Sequence, residues 1–281
     1  MSGTPMMEAT EPAATEPAAD LNPPRTQAWW RACRYEVRNL GALRSTWIVL
    51  GVIAALALWV PVAAPFVATA KDLTDPSLVE SVQWSPSLTQ MPALGFFLMV
   101  LATGPVSAEL TRGAARTSWL TAASRSYAFW AKSAVGAAIG AVVSVLTALL
   151  EVGGLALVAV AEGFPQPLWV RLLAAALRLA LWTACWMTLC TAVSALLRNR
   201  VGPVLVLFLA APAGERLLAA GLARIPGPHL SAVADWLPFA AGRTMLSEGA
   251  TAQGLLGGAV FVAFTAAVAV AGHAVYGRRT G

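Results

Sequence analysis

The chain has 281 residues, 58% of them hydrophobic and only 12% charged. Soluble domains carry about 25% charged residues, and a water-soluble fold of this length cannot hide so much apolar surface, whereas lipid solvates it. A soluble globular fold is excluded, and the net charge of +5 does not indicate a nucleic-acid binder, because the basic residues sit at the ends of apolar runs instead of gathering on one soluble face.

Residues 1–27 form a Pro/Ala/Glu/Thr tail with the direct repeat TEPAA-TEPAA. Such a segment cannot bury enough apolar area to offset its ordering entropy, so disorder is expected. It also lacks the basic start and apolar centre of a signal peptide. Residues 28–45 read as an amphipathic helix: Trp30, Cys33, Val37 and Leu40 follow one stripe, and Arg31, Arg34 and Arg38 follow another. That pattern suits a helix lying in the membrane interface. Glu36 falls among the apolar positions, where it either pairs with a neighbouring Arg, reaches water or contacts a partner.

A crossing helix needs about 20 apolar residues. Six candidates follow: 47–69, 92–110, 133–160, 169–197, 201–220 and 254–277. With both termini cytoplasmic, thirteen Lys and Arg fall inside and five outside, as the positive-inside rule demands. The expected fold is therefore an all-α integral membrane protein of the plasma (inner) membrane, with six transmembrane helices and both ends in the cytoplasm. Residues 220–253 are too apolar for a plain loop and are interrupted by Pro226, Pro228 and Pro238. They predict short re-entrant helices packed against protein, where broken backbone is tolerated at membrane depth.

The charges concentrate between the second and third spans, in AELTRGAARTSWLTAASRSYAFWAKSAV (108–135). Ser124 is placed to cap the helix that becomes the third span. The spacing of Glu109, Gly113, Arg116, Thr117, Ser124, Arg125, Ala131 and Lys132 resembles the first cytoplasmic loop of ABC-2 type ABC transporter permeases. An amphipathic helix before the first span resembles that family's elbow helix. The six-span layout and the broken segment after span five extend the likeness over about residues 28–279.

The resemblance implies a permease subunit of an ATP-driven exporter, not an enzyme itself. A separate ATPase would bind ATP and Mg and push on the loop as a coupling helix. Glu36, Glu109, Arg112, Gly113, Arg116, Arg125 and Lys132 would form the coupling set. A second permease subunit, identical or different, would complete the path, and a drug, antibiotic, peptide or lipid is the expected cargo. The chain contains no G-x4-G-K-[ST] phosphate loop of its own. Two rival readings are a transporter driven by an ion gradient and a non-transporting scaffold or immunity protein. The first wants several intramembrane carboxylates and an internal repeat.

Two charges fall within spans, Glu151 and Arg178. A short turn centred near residues 164–165 would set them at equal depth as an ion pair, either stapling two helices or gating the path. Gly136 and Gly140 form a G-x3-G that could let two helices approach. Cys33, Cys185 and Cys190 are read as free thiols, and neither a disulfide framework nor a metal site is expected.

Overall fold

The computed structural model describes residues 25–67, 92–112, 124–161, 163, 169–197, 199, 201–209, 213–224, 230–247 and 251–278. The expected N-terminal tail lies almost wholly outside them. The described residues form helices without a strand: α1 Arg25–Ala42, α2 Arg44–Val67, α3 Ala93–Arg112, α4 Arg125–Ala161 and α5 Trp169–Leu196. After these come α6 Gly202–Leu209, α7 Glu215–Leu222, α8 Leu230–Asp235, α9 Pro238–Ser247 and α10 Ala252–Arg278. Among them, Arg44–Ala63, Arg125–Ala161, Trp169–Leu196 and Ala252–Arg278 are long and apolar enough to cross a membrane. Ala93–Gly104 is a shorter apolar helix. These elements are compatible with a multi-pass membrane protein.

The third predicted span, 133–160, lies within a longer helix that starts at Arg125, just after the expected cap Ser124, and runs for 37 residues. At 1.5 Å per residue that is about 55 Å, so α4 exceeds a hydrocarbon core of about 30 Å by several turns. Within the fifth predicted span, 201–220, the described residues form α6 and α7, eight residues each, with a wider turn at 213–214, and residues 210–212 lie outside the described residues. Pro212, which has no N–H to give, stands between them in the sequence.

α5 is the centre of the bundle. Most of its apolar window is buried, whereas α2 and α10 leave most of theirs exposed. Trp182 and Trp186, one turn apart, stack on each other at 5.4 Å. Trp182 also stacks on Phe261 of α10 at 5.9 Å, and Trp186 meets Phe239 of α9 edge-on. The Trp186 indole N–H donates to the Gly95 carbonyl of α3 at 2.8 Å. A large ring that carries one polar atom is well suited to this position, because its N–H is satisfied where the ring is buried.

Three contacts fix the register of the α4–α5 hairpin. A methyl added at Gly136 would touch Thr191, one at Gly140 would meet Met187, and the Ser144 and Thr183 hydroxyls lie 2.7 Å apart. Each four-residue step along α4 is matched by four back along α5, so the helices are antiparallel. α10 runs parallel to α5, with Gly272 against Ala192 and Phe261 against Trp182. The chain thus leaves α5 at one end of the bundle and begins α10 at the other. Residues 197–251 must carry it back. α6 makes part of that return, with Phe208 reaching Phe96 of α3 at 5.4 Å.

The segment expected to hold short helices packed on protein does so. α9 buries Phe239, Ala241, Gly242, Met245 and Leu246. Its first free N–H groups, on Phe239 and Ala240, each donate at 2.8 Å to a carboxylate oxygen of Glu215 on α7. Pro238 sits at the helix start, where its missing N–H costs nothing, and an anion there is favoured by the helix dipole.

Candidate functional site at the basic end of the bundle

The start of α4, the end of α5, the end of α10 and all of α1 meet at one end of the molecule. Arg31, Arg34, Arg38, Arg44, Arg125 and Arg278 are exposed there. Beneath them lies a compact cluster of Ala32, Ala128, Phe129, Ala131, Ala192, Ala195, Ala269 and Tyr276, with Trp29, Cys33, Tyr127 and Trp130 at its margin. Small residues on three helices let α1 settle close on α4, and aromatic rings fill the remaining space.

The face α1 uses is not the one its apolar stripe suggested. Ala28, Ala32 and Glu36 are buried, whereas Trp30 and Val37 are 70% and 54% exposed. Trp30 and Val37 therefore point away from the protein, as lipid-facing residues of an interfacial helix do. The buried face carries a carboxylate because α4 supplies its counter-ion. The Lys132 ammonium donates to Glu36 Oε1, and both side chains are almost fully enclosed. Glu36 thus pairs with a lysine 96 residues away, not with a neighbouring arginine. Burial, and next the Glu36 charge, push the Cys33 thiol up from its ordinary value, so Cys33 stays protonated and behaves as a small apolar residue.

α4 is held at its start by three further contacts. Ser124 accepts the Tyr127 N–H at 3.0 Å, the cap expected from the sequence. The Arg125 guanidinium donates to the Gly277 carbonyl at 2.9 Å, placing a cation on the C-terminal end of α10. Ser126 Oγ and His273 Nε2 lie 3.0 Å apart, and His273 packs over Phe129 and Trp130. Leu40 and Val106 close the space around the Glu36–Lys132 pair together with Met187 and Thr191. One residue set therefore joins α1, α3, α4, α5 and α10.

Of the seven proposed coupling residues, Glu36, Arg125 and Lys132 are brought together here. Glu109 and Arg112 lie in the last turns of α3. Gly113 and Arg116 lie outside the described residues. Glu36 and Lys132 are enclosed, so a docked protein would reach them through the helices that carry them and not by direct contact.

Glu151 and Arg178 are not brought together as an ion pair. The register that sets Ser144 against Thr183 puts Glu151 opposite Ala176. Arg178 is two residues further on, about 200° around α5. It continues the stripe of Cys185 and Ala192, the stripe that faces α10, and at this register it lies level with Gly258. Its Nε is buried with no hydrogen-bond partner. The sequence estimate failed because it placed the hairpin centre one residue late, and on a helix two residues of combined slip turn a side chain onto the opposite face. A double-mutant cycle of Glu151→Gln and Arg178→Met, read by thermal unfolding in detergent, should give a coupling energy under about 0.5 kcal/mol. A value above about 2 kcal/mol would restore the pair.

The chain matches no family model and no curated protein. The function must accordingly be argued from the residues. Among the described residues no group of three or more His, Cys, Asp or Glu is placed to hold a metal. Cys185 and Cys190 are buried free thiols on α5, in keeping with a packing role.

Proposed function

We propose that this chain is the membrane-spanning subunit of an ABC-2 type exporter, driven by an ATPase carried on a separate polypeptide. The observation that carries the reading is the clamp at the basic end. α1 is an interfacial helix with an exposed basic face, and the buried Glu36–Lys132 pair fastens it to the start of α4. α3 and α4 flank the polar stretch 113–123 that bears Gly113 and Arg116. A force applied to that stretch passes along α4 directly and to α1 through the ion pair. Arg125 carries it to α10 through the Gly277 carbonyl. Three helices would move together because they share one polar joint.

In this reading the basic end is cytoplasmic, in line with the positive-inside rule. The chain crosses six times, with α3 as the second crossing and the α6–α7 stretch as a fifth, broken one. The parallel run of α5 and α10 supports an odd number of passages between them. Broken backbone at that depth is tolerated where it packs on protein. ATP and Mg belong to the partner chain, and a second permease subunit closes the path for an amphipathic or hydrophobic substrate.

The test is affinity purification of the tagged chain from its native membrane. A P-loop ATPase should co-purify in near-stoichiometric amount. Arg116→Glu and Glu109→Arg should each reduce its recovery by ten-fold or more while leaving the permease in the membrane. Absence of any P-loop ATPase, or full recovery in both variants, would overturn the proposal.

A further inference from the structure

The far end of the bundle holds a feature that the transport reading does not use. A cavity of about 370 Å³ opens between α9, the turn before it and the first turns of α10. Its walls carry Asp235, Trp236, Arg243, Thr244, Gln253 and Gly257. That volume is within the range of small-molecule sites, which begin at about 300 Å³.

The charges in this cavity are not spent on each other. Arg243 and Asp235 both line it, yet no ion pair joins them among the described residues. The Arg243 Nε is buried and has no hydrogen-bond partner. The carboxylate nearest in effect is Glu215, but both its oxygens are occupied by the Phe239 and Ala240 N–H groups. Burial, opposed by Glu215 and reinforced by Arg216, lowers the affinity of Arg243 for its proton from the ordinary value, yet a guanidinium remains charged at neutral pH. A half-buried cation with an idle Nε donor leaves free energy that a bound anion can recover.

The hydroxyls of Thr244 and Ser247 already donate to carbonyls one turn back on α9, at 3.1 Å each. Their oxygens can therefore only accept, as can the Asp235 carboxylate. Arg243 is thus the one cation among the described lining residues and Asp235 the one anion, with the Gln253 amide and Trp236 indole as neutral donors beside the hydroxyl acceptors. A simple anion would satisfy Arg243 and be repelled by Asp235. A zwitterion with its two charges separated satisfies both. Gly257 lets α10 pack tightly against α9 on one wall of the cavity, where an added methyl would lie 2.6 Å from the Ala241 carbonyl. Trp236, 43% exposed at the rim, suits a site at the level of lipid headgroups.

We propose that this cavity binds a phosphoethanolamine group, with Arg243 on the phosphate and Asp235 on the ammonium. The group could arrive as a lipid headgroup or as a water-soluble phosphoester. The assignment does not depend on an ATPase partner.

Native mass spectrometry of the detergent-purified full chain tests it, with added phosphatidylethanolamine, phosphatidylglycerol, diacylglycerol and soluble glycerophosphoethanolamine as probes. Phosphatidylethanolamine should be retained at least ten-fold better than diacylglycerol and several-fold better than phosphatidylglycerol. Asp235→Asn, a change on an exposed residue, should erase the preference over phosphatidylglycerol. Arg243→Gln should bring both phospholipids to the diacylglycerol level, and Arg243→Lys should recover part of the binding. Retention of glycerophosphoethanolamine as strong as that of the lipid identifies a soluble phosphoester as occupant and supports the same chemistry. Equal retention of all lipids, or no loss in Asp235→Asn, overturns the proposal whether or not Arg243→Gln folds.

Discussion

Lys132→Met is expected to destabilise the protein by about 3–5 kcal/mol, the usual cost of removing one partner of a buried ion pair. The side chain is replaced by one of similar length, so the loss reports the charge and not a cavity. Glu36 would remain 4% exposed beneath α1 with its chief counter-charge gone. Its options are to take up a proton or to pull α1 off α4, and both cost free energy. The Glu36→Gln/Lys132→Met double variant should recover at least half of the loss, because neither charge of the pair is left without the other. Thermal or denaturant unfolding in detergent checks both values. If Lys132→Met alone loses less than about 1 kcal/mol, the pair is not the joint described above. The double variant also separates two roles. Under the proposed exporter reading, a stable double variant that no longer couples an ATPase to transport would show that the ion pair transmits force; normal coupling would show that packing alone holds α1 to α4.

Gly272→Leu should be nearly as damaging, by a different route. A methyl at Gly272 would already lie 2.9 Å from the Ala192 backbone of α5, closer than real contacts come. Backbone cannot turn aside as a flexible side chain can, so α10 must shift away from α5. Forcing extra methylenes into a filled seam costs about 1–3 kcal/mol, and here the strain would also act on the Arg125–Gly277 contact one turn below. Gly277 gives the control. Nothing lies within 4 Å of a methyl added there, so Gly277→Ala should stay within about 0.5 kcal/mol of the parent. The two glycines are five residues apart on one helix, so Gly272→Ala set against Gly277→Ala reports packing and not helix propensity.

The proposed coupling residues illustrate what a pattern can and cannot reveal. Glu36 was conspicuous in the sequence because a carboxylate stood among apolar positions of a helix. That placement signals a buried partner, but periodicity carries no information about residues 96 positions away. Lys132 falls inside α4, seven residues past Arg125, as the Ser124 cap implied, but its pairing with Glu36 could not be read from spacing. Arg178 shows the opposite error. Its burial in a helix was legible, whereas its direction depended on the hairpin register, which the packing of Gly140 against Met187 and Ser144 against Thr183 decides. Glu215 gave no signal as a cap, because the N–H groups it satisfies lie 24 and 25 residues downstream.

By itself the sequence determined that the chain is helical and suited to lipid, where the long apolar helices run, and that charge gathers at one end. These properties follow from composition and short-range periodicity, which any stretch of chain carries locally. Only the tertiary structure decided which face of α1 is covered, which helix lies at the centre, and which charges meet. Each of those depends on side-chain volumes and glycine gaps on different helices fitting at one register, a property of pairs of segments that no single segment contains.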